Sequence, residues 1–318
     1  MVVATRKLPF MTLVRGVPHL LVAGALCILG CRDASKHPRA DSAATINPVR
    51  PLTGSTTSTG WDSAAGPVVV VPASRESANV AIVLPGLTDS ALASVSRFQL
   101  DSLENMPLDL FNLHGLIGSS GLRVVSQSVD QTGCVKWPTG RLTNPAPGAW
   151  RIALEKRRAT GIPLSALEEM KAADSARFVG SILGAVEHLR DGGDPVFRGI
   201  PFSVRKGYQL MISPSSVLVA EVVRKINEEA NPREEHILVL AEQQAEDGTF
   251  RVAFQMRSAG AEEALETSEI LAALKIAKSN HPAFVLTFDY EDGGKVGLLE
   301  RGPGSTWRIV WKSAYAGC

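Results

Sequence analysis

The apolar residues of this chain cluster in short runs, and that pattern predicts many strands. Unbroken apolar runs at 68–71 and 80–84 are typical of buried strands, and Pro85-Gly86 ends the second run. The apolar pattern of the segment Leu108-Asp109-Leu110-Phe111 is ambiguous and predicts no particular secondary structure. Further strands, rich in β-branched and aliphatic residues, are predicted at 122–125, 150–154, 203–212, 216–227, 236–245, 249–257, 283–289, 295–300 and 306–313.

Short polar turns separate several of these predicted strands. Glu246-Asp247-Gly248 and Glu291-Asp292-Gly293-Gly294 are two such turns. Strands joined by tight turns pair antiparallel, because a parallel pair needs a long crossover connection. We therefore expect a mainly antiparallel sheet. The glycines at 115, 118 and 121 predict a loop, and the proline-rich segment 137–150 is predicted to be irregular.

Two segments carry helical periodicity. The first spans 165–190, where Ser165 and Glu168 have the spacing of a capping box. Asp174 could instead cap a second helix, which would leave separate pieces at 165–172 and 175–190. The predicted buried face of this segment consists of Phe178, Ile182, Val186 and Leu189.

The second predicted helix covers 261–279, with Leu265, Ile270, Leu274 and Ala277 facing inward. Together these patterns predict an α+β fold, a mainly antiparallel sheet with two or three helices packed on it. The folded region is predicted to span 67–318, with a possible division into subdomains near residue 160.

The N-terminal part of the chain has a different composition. Residues 1–30 contain Arg6, Lys7 and Arg15 but no acidic residue, and an apolar stretch follows, as in a secretory signal peptide. Translation could start at Met1 or at Met11. Residues 31–66 are rich in Ser, Thr, Ala, Pro and Gly without an apolar period, which predicts a flexible tether.

The apolar stretch ends in Ile28-Leu29-Gly30-Cys31, which resembles the cleavage box of bacterial lipoprotein signal peptides. The resemblance covers residues 1–31 only, and the rest of the chain resembles no family that we can name. It implies cleavage before Cys31 and attachment of a diacylglyceryl group to that cysteine. Two or more acyl chains anchor a protein stably to a membrane.

The lipoprotein resemblance also implies a location in the cell envelope, facing the periplasm or the exterior. Arg32, rather than an aspartate, follows the cysteine, which favours the outer membrane if the cell is Gram-negative. Two alternatives stay open. One is an ordinary secretory signal with a coincidental cysteine, and the other is an uncleaved N-terminal anchor.

The charge balance argues against a nucleic-acid partner. The 318 residues include 33 basic and 32 acidic side chains, and loss of a signal containing three basic residues leaves a net charge of −2. Such a chain lacks the basic footprint of nucleic-acid-binding proteins. The expected partners are the membrane, through the N-terminal lipid, and an envelope protein or polymer.

Four cysteines are present, and two of them remain after the signal and the lipidated Cys31 are set aside. In an oxidising compartment, Cys134 and Cys318 are expected to form a disulfide. No Cys-x-x-Cys pair supports a redox role.

The sequence contains no recognisable catalytic constellation. No Gly-x-Ser-x-Gly motif is present, and the histidines at 114, 188, 236 and 281 are isolated from one another. Adjacent acids, such as Glu234-Glu235, are interpreted as solubility charges. Trp307, Ile309 and Trp311 alternate on one predicted strand face, which suits core packing better than a sugar or peptide site.

We therefore expect no catalytic residue, metal or cofactor. The favoured hypothesis is a non-enzymatic binding or accessory lipoprotein of the bacterial envelope. The alternative is an envelope hydrolase whose site is assembled from dispersed residues.

Overall fold

The computed structural model describes residues 60–73, 79–126, 134–144, 148–212, 215–227, 231–244, 248–261, 264–276, 280–290 and 292–318. The predicted signal peptide, the predicted lipidation site Cys31 and the tether up to residue 59 lie outside the described residues. Within those residues, no helix combines the length and the apolar character that crossing a membrane would require.

Six strands form a closed antiparallel barrel. They are β1 (Val69–Pro72), β2 (Asn79–Val83), β3 (Pro107–Asn112), β4 (Gly115–Ser126), β5 (Thr139–Leu142) and β6 (Ile152–Glu155). Their order is β1-β2-β5-β4-β3-β6, and β6 closes the barrel on β1. Val70, Ile82 and Leu110 fill its interior, together with Leu92 and Leu100 from the short helices α1 (Asp89–Leu92) and α2 (Arg97–Asp101).

A second antiparallel sheet, the central sheet, follows the order β16-β15-β14-β13-β7, and a short strand, β17, pairs beside β15. Its strands are β7 (Ala159–Ile162), β13 (Thr267–Ile276), β14 (Pro282–Tyr290), β15 (Gly293–Arg301), β16 (Trp307–Lys312) and β17 (Ala316–Gly317).

A third antiparallel sheet, the outer sheet, follows the order β12-β11-β10-β9-β8. Its strands are β8 (Ser165–Ala166), β9 (Ser203–Ile212), β10 (Ser215–Ile226), β11 (Arg233–Gln243) and β12 (Phe250–Ala261). The helix α3 (Ala172–Val186) covers one face of this sheet.

The barrel, the central sheet, the outer sheet and α3 pack as successive layers. They can do so because the central sheet and the outer sheet are each apolar on both faces. Leu274 and Val285 of the central sheet pack with residues of the barrel. On the opposite face, Phe284 packs with outer-sheet residues such as Val219. The far face of the outer sheet, including Val222, packs against α3. Strands that are buried on both faces have continuous apolar sequences rather than alternating apolar and polar residues.

The predicted α+β class is wrong: the protein is mostly β, with one helix of substantial length among the described residues. The expectation of antiparallel pairing is confirmed, since every strand pair among the described residues is antiparallel. The error in class arises mainly from the predicted helix at 261–279, which the structure replaces with β13.

The segment from Ile270 to Leu274 explains that error. All five of its residues are buried, because β13 lies between the barrel and the outer sheet. A fully buried strand and a buried helix give similar apolar runs, so spacing alone cannot separate them. Ala277, the fourth predicted inward residue, lies outside the described residues.

The first predicted helix begins later than the pattern suggests. Ser165 pairs with Gln209 in the outer sheet, so the predicted capping box with Glu168 does not form. A 3₁₀ turn at Leu167–Glu169 intervenes, and α3 starts at Ala172 with Asp174 in its first turn. The predicted buried face is confirmed, and its last residue lies in a second 3₁₀ turn, Glu187–Leu189.

Two predicted irregular regions contain strands. Gly115, Gly118 and Gly121 lie within β4, where they pair with β3. At Gly121 a side chain would crowd Thr143, which explains a glycine within a strand there. The segment 137–150 contains β5, and its residues 145–147 lie outside the described residues.

Both ends of the described domain are attached to the sheets. Cys134 and Cys318 form the predicted disulfide, and Val135 exchanges two backbone hydrogen bonds with Gly317. At the other end, Trp61 packs against Trp311 with 4.6 Å between ring centroids. The ordered domain therefore includes Gly60–Gly66, which the composition assigns to the tether.

Candidate functional site

Charged residues interrupt the apolar alternation at one end of β10 and β11. On the face toward the central sheet, Val217 and Val219 of β10 are followed by Glu221. On β11, Leu240 and Leu238 are followed by His236 and then Glu234. Because side chains alternate between faces along a strand, these three charged groups share one face of the outer sheet.

The three groups bond directly to one another. His236 Nδ1 lies 2.8 Å from Glu221 Oε1, and His236 Nε2 lies 2.6 Å from Glu234 Oε2. All three side chains are less than one-tenth exposed. Lys225 Nζ donates to the same Glu234. We call these four residues the His236 cluster.

Electrostatics in the His236 cluster favour the charged forms of His236, Glu221 and Glu234. Burial by itself lowers the pKa of His236, but hydrogen bonds and attraction to the two carboxylates outweigh it, so the pKa is raised above its ordinary value of 6.5. Burial by itself raises the pKa of Glu221 and Glu234, yet their hydrogen bonds and cationic neighbours hold both below 4.5.

A second charged cluster lies on the opposite face of the same strands. Arg224 Nε donates to Glu235 Oε2 at 2.5 Å, and both side chains are completely buried. Arg257 Nη1 binds the other oxygen of Glu235 at 3.0 Å. We call these three residues the Arg224 cluster.

The Arg224 cluster also binds the backbone that follows α3. Arg224 donates to the carbonyl oxygens of Arg190, Phe197 and Gly192, and its guanidinium lies 4.7 Å from the ring centroid of Phe202. Arg257 donates to the carbonyl oxygen of Leu189. These bonds satisfy carbonyl groups beyond the last helical turn, which lack intrahelical partners.

Glu242 forms a third charged contact at the other end of β11. It accepts two hydrogen bonds from Arg301 and one from the indole of Trp307, although it is only 1% exposed. Burial by itself raises the pKa of Glu242, but the bonds to Arg301 and Trp307 hold it below 4.5. This contact joins the outer sheet to the central sheet.

Two narrow clefts lie beside Glu221, between the outer and central sheets. One is lined by His236, Ser258 and Ser268, and the other by Tyr208 and Lys206. Each encloses about 10 Å³, roughly the room of one water molecule. Neither matches the volume of a typical small-molecule site.

The first cleft brings together a serine, a histidine and a carboxylate. Ser258 is the cross-strand neighbour of His236, and Glu221 lines the same cleft. A general base needs a free ring nitrogen to take the serine proton. Both nitrogens of His236 are occupied by carboxylates, while Ser258 Oγ accepts a bond from the backbone N–H of Glu266. This arrangement holds charge but does not activate a nucleophile.

The histidines at 114, 188, 236 and 281 do not come together in one site. His114 and His281 are more than half exposed, each near one glutamate, and His188 is exposed at the end of α3. Within the described residues, no group of three or more potential ligands is arranged to hold a metal ion. His37 lies outside those residues.

The principal charged residues of the outer sheet are not recognisable as a cluster from the sequence. Glu234 and Glu235 are predicted to be solubility charges, and that prediction is wrong, since both are buried, on opposite faces of β11. The available signal was the placement of charges at alternating positions within otherwise apolar strands. Their burial depends on layers from distant parts of the sequence.

The predicted aromatic stripe is also divided between two cores. Trp307 and Trp311 are both buried, as the core interpretation requires. A register shift in the pairing of β15 with β16 leaves Val310 unmatched, so the alternation of side chains between the two faces of β16 is interrupted there. Trp307 then packs toward the outer sheet and Trp311 toward the barrel.

Comparison with known proteins found no matching family model, no matching curated protein and no matching solved structure.

Proposed function

We propose that this chain is a lipid-anchored lipoprotein of the bacterial cell envelope that binds a partner protein or an envelope polymer without catalysing a reaction. The resemblance of residues 28–31 to a lipoprotein cleavage box supports the anchor. The Cys134–Cys318 disulfide supports an oxidising compartment, because such bonds are rare in the reducing cytosol.

One observation carries the non-catalytic part of the proposal. His236, the buried histidine beside a serine and a carboxylate, has both ring nitrogens bonded to glutamates. The adjoining clefts have room for about one water molecule each. A substrate would have neither a free base nor an open cavity at this place.

The anchor is tested by intact mass spectrometry of the full-length protein extracted from membranes of a lipoprotein-processing bacterium. We expect the mass of a chain starting at Cys31 plus acyl groups. Cys31→Ala should abolish acylation, while Cys27→Ala, four residues earlier and outside the cleavage box, should leave it intact. An unacylated wild-type chain would refute the anchor.

The binding role is tested by crosslinking in intact cells with the acylated protein. We expect a discrete envelope protein or polymer to be recovered with wild type. Substitutions of the buried clusters should affect recovery only through folding. Reproducible absence of any crosslinked species under conditions that capture a known envelope pair would contradict a binding role.

A hydrolase remains the second candidate, because Ser258, His236 and Glu221 line one cleft. Labelling with a fluorophosphonate probe separates the two functions. The binding proposal expects no label, whereas a hydrolase would be labelled in wild type and in Ser268→Ala but not in Ser258→Ala. Ser268 is the matched control, since it lines the same cleft.

A further inference from the structure

We propose that the His236 cluster is a pH-sensitive latch between β10 and β11, which holds the end of this strand pair closed beside the cleft and releases it when His236 loses a proton. The latch is a property of the folded domain and does not depend on the anchor or on the proposed partner.

The geometry of the latch requires two donors on one ring. Glu221 and Glu234 approach opposite nitrogens of His236, at 2.8 and 2.6 Å. Ionised carboxylates only accept hydrogen bonds, so both ring nitrogens must carry a proton. The closed arrangement is therefore that of an imidazolium held between two carboxylates.

Loss of one proton removes one of these two bonds. A neutral imidazole donates from a single nitrogen, so the other nitrogen would direct a lone pair at a carboxylate oxygen. Both carboxylates are less than one-tenth exposed, and an unpaired charge is costly in such a place. We expect the Glu234 side chain to leave first, because Lys225, its other partner, is half exposed and can follow it into solvent.

Charged groups from every neighbouring element face this cluster. Arg205 of β9 lies 3.6 Å from Glu221, and Lys206 adds a second cation beside that glutamate. Glu266, before β13, lines the first cleft from the central-sheet side, whereas the guanidinium of Arg257 on β12 is bound to Glu235 on the opposite face. Glu269 of β13 lines the second cleft and is paired with Arg151. The lysine and arginine side chains favour the ionised forms of Glu221 and Glu234, so His236 is the member whose charge changes as the pH rises above the ordinary histidine value.

The direction of the response follows from the raised pKa of His236. The latch contributes fully below the ordinary histidine value of about 6.5, and its contribution is lost as the pH rises through the higher value in the closed state. Between these two values, opening releases one proton. The opening equilibrium should then increase up to about tenfold for each pH unit.

The test is amide hydrogen exchange of the full-length protein between pH 6 and 9, corrected for the intrinsic chemical exchange rate at each pH. We expect opening of amides near residues 221 and 236 to increase with pH, while amides near Val219 and Leu240 stay protected. In parallel, the imidazole NMR signal of His236 should titrate above 6.5, at the pH where exchange changes.

His236→Gln provides a permanently neutral side chain, and exposed His188→Gln is the matched control. We expect the first variant to show open, pH-independent exchange at the latch, and the control to follow wild type. The proposal is overturned if wild-type exchange at the latch is independent of pH while the His236 signal titrates. It is overturned equally if His236 stays protonated or stays neutral across the whole range. Both wild-type results hold even if His236→Gln does not fold.

Discussion

The two faces of β10 and β11 both neutralise buried glutamates with a cation, but the cation differs between the faces. Both faces bury glutamates where the apolar core ends, and both place a cation between strands. On the helix side the cation is Arg224, with Arg257 beside it, and on the central-sheet side it is His236. Arginine side chains in general stay charged in proteins, whereas histidine is the side chain whose charge changes near physiological pH.

The partners of the two cations also differ. Arg224 binds three backbone carbonyl groups besides Glu235, and these acceptors cannot be protonated in water. His236 binds only side-chain carboxylates. The adjacent residues Glu235 and His236 of β11 therefore take part in two different kinds of contact. Glu235 belongs to a permanent structural contact, whereas the contact of His236 depends on its protonation. Predictions that vary the pH distinguish the two faces most directly.

The largest effect is expected for Glu235→Gln in the Arg224 cluster. Removing one charge from a completely buried ion pair typically costs about 3–5 kcal/mol, because the remaining cation stays buried without compensation. Urea unfolding should show this loss unchanged from pH 6 to 9. A loss below about 1 kcal/mol, or one that varies strongly over that range, would remove the contrast between the two faces.

A smaller loss is expected for Glu242→Gln, on the same face as His236 but bonded to Arg301. Hydrogen bonds to charged groups contribute about 1.5–3 kcal/mol, and we expect the upper part of that range. The lowered pKa of Glu242 means that its contribution is present above about 4.5 and is lost as the pH falls through the value in the fold. The difference from wild type should therefore narrow in acid and stay constant from pH 6 to 9. A difference that narrows at alkaline pH would show that the face, rather than the cation, determines the response.

His236→Gln is expected to cost about 2 kcal/mol at pH 6, from the loss of hydrogen bonds to charged groups. Because the pKa of His236 is raised in the fold, wild type loses this advantage as the pH rises, and the two unfolding curves should converge toward pH 9. Parallel curves over the whole range would contradict the assignment of an imidazolium.

The smallest effect is expected for His188→Gln, the exposed control. Surface substitutions away from caps and charge networks usually change the free energy of unfolding by less than about 0.5 kcal/mol. Unfolding from pH 6 to 9 should match wild type. A pH-dependent difference would mean that the general histidine titration, and not the His236 cluster, dominates the alkaline response.

Several parts of the fold could be predicted from local patterns. The strands at Val217–Val223 and His236–Ala241 follow from their β-branched and aliphatic residues, and the antiparallel pairing of β11 with β12 follows from the short polar connection between them. The disulfide followed from counting the cysteines that remain after the signal. The buried face of α3 followed from the recurrence of Phe178, Ile182 and Val186.

Other parts could not be predicted, because the deciding contacts come from distant residues. The run from Ile270 to Leu274 is a strand since the barrel and the outer sheet cover its two faces. Ser165 has the spacing of a helix cap, yet pairing with Gln209 recruits it into a sheet. In both cases tertiary packing outweighs a local preference of a fraction of a kcal/mol per residue.

By itself, the sequence determined the strand-rich pattern, the antiparallel connections and the cysteine pair, because each depends on neighbouring residues or on a simple count. The lipoprotein-like N-terminus is also a local pattern, and it stays a prediction. Only the tertiary structure decided that Glu234 and Glu235 are buried on opposite faces, and that His236 lies between two carboxylates. The alternation of side chains along β11 determines which face of the sheet each residue occupies. The charge state of those residues depends on which layers exclude water from that face. Those layers are α3 and the central sheet, whose residues lie far away in the chain.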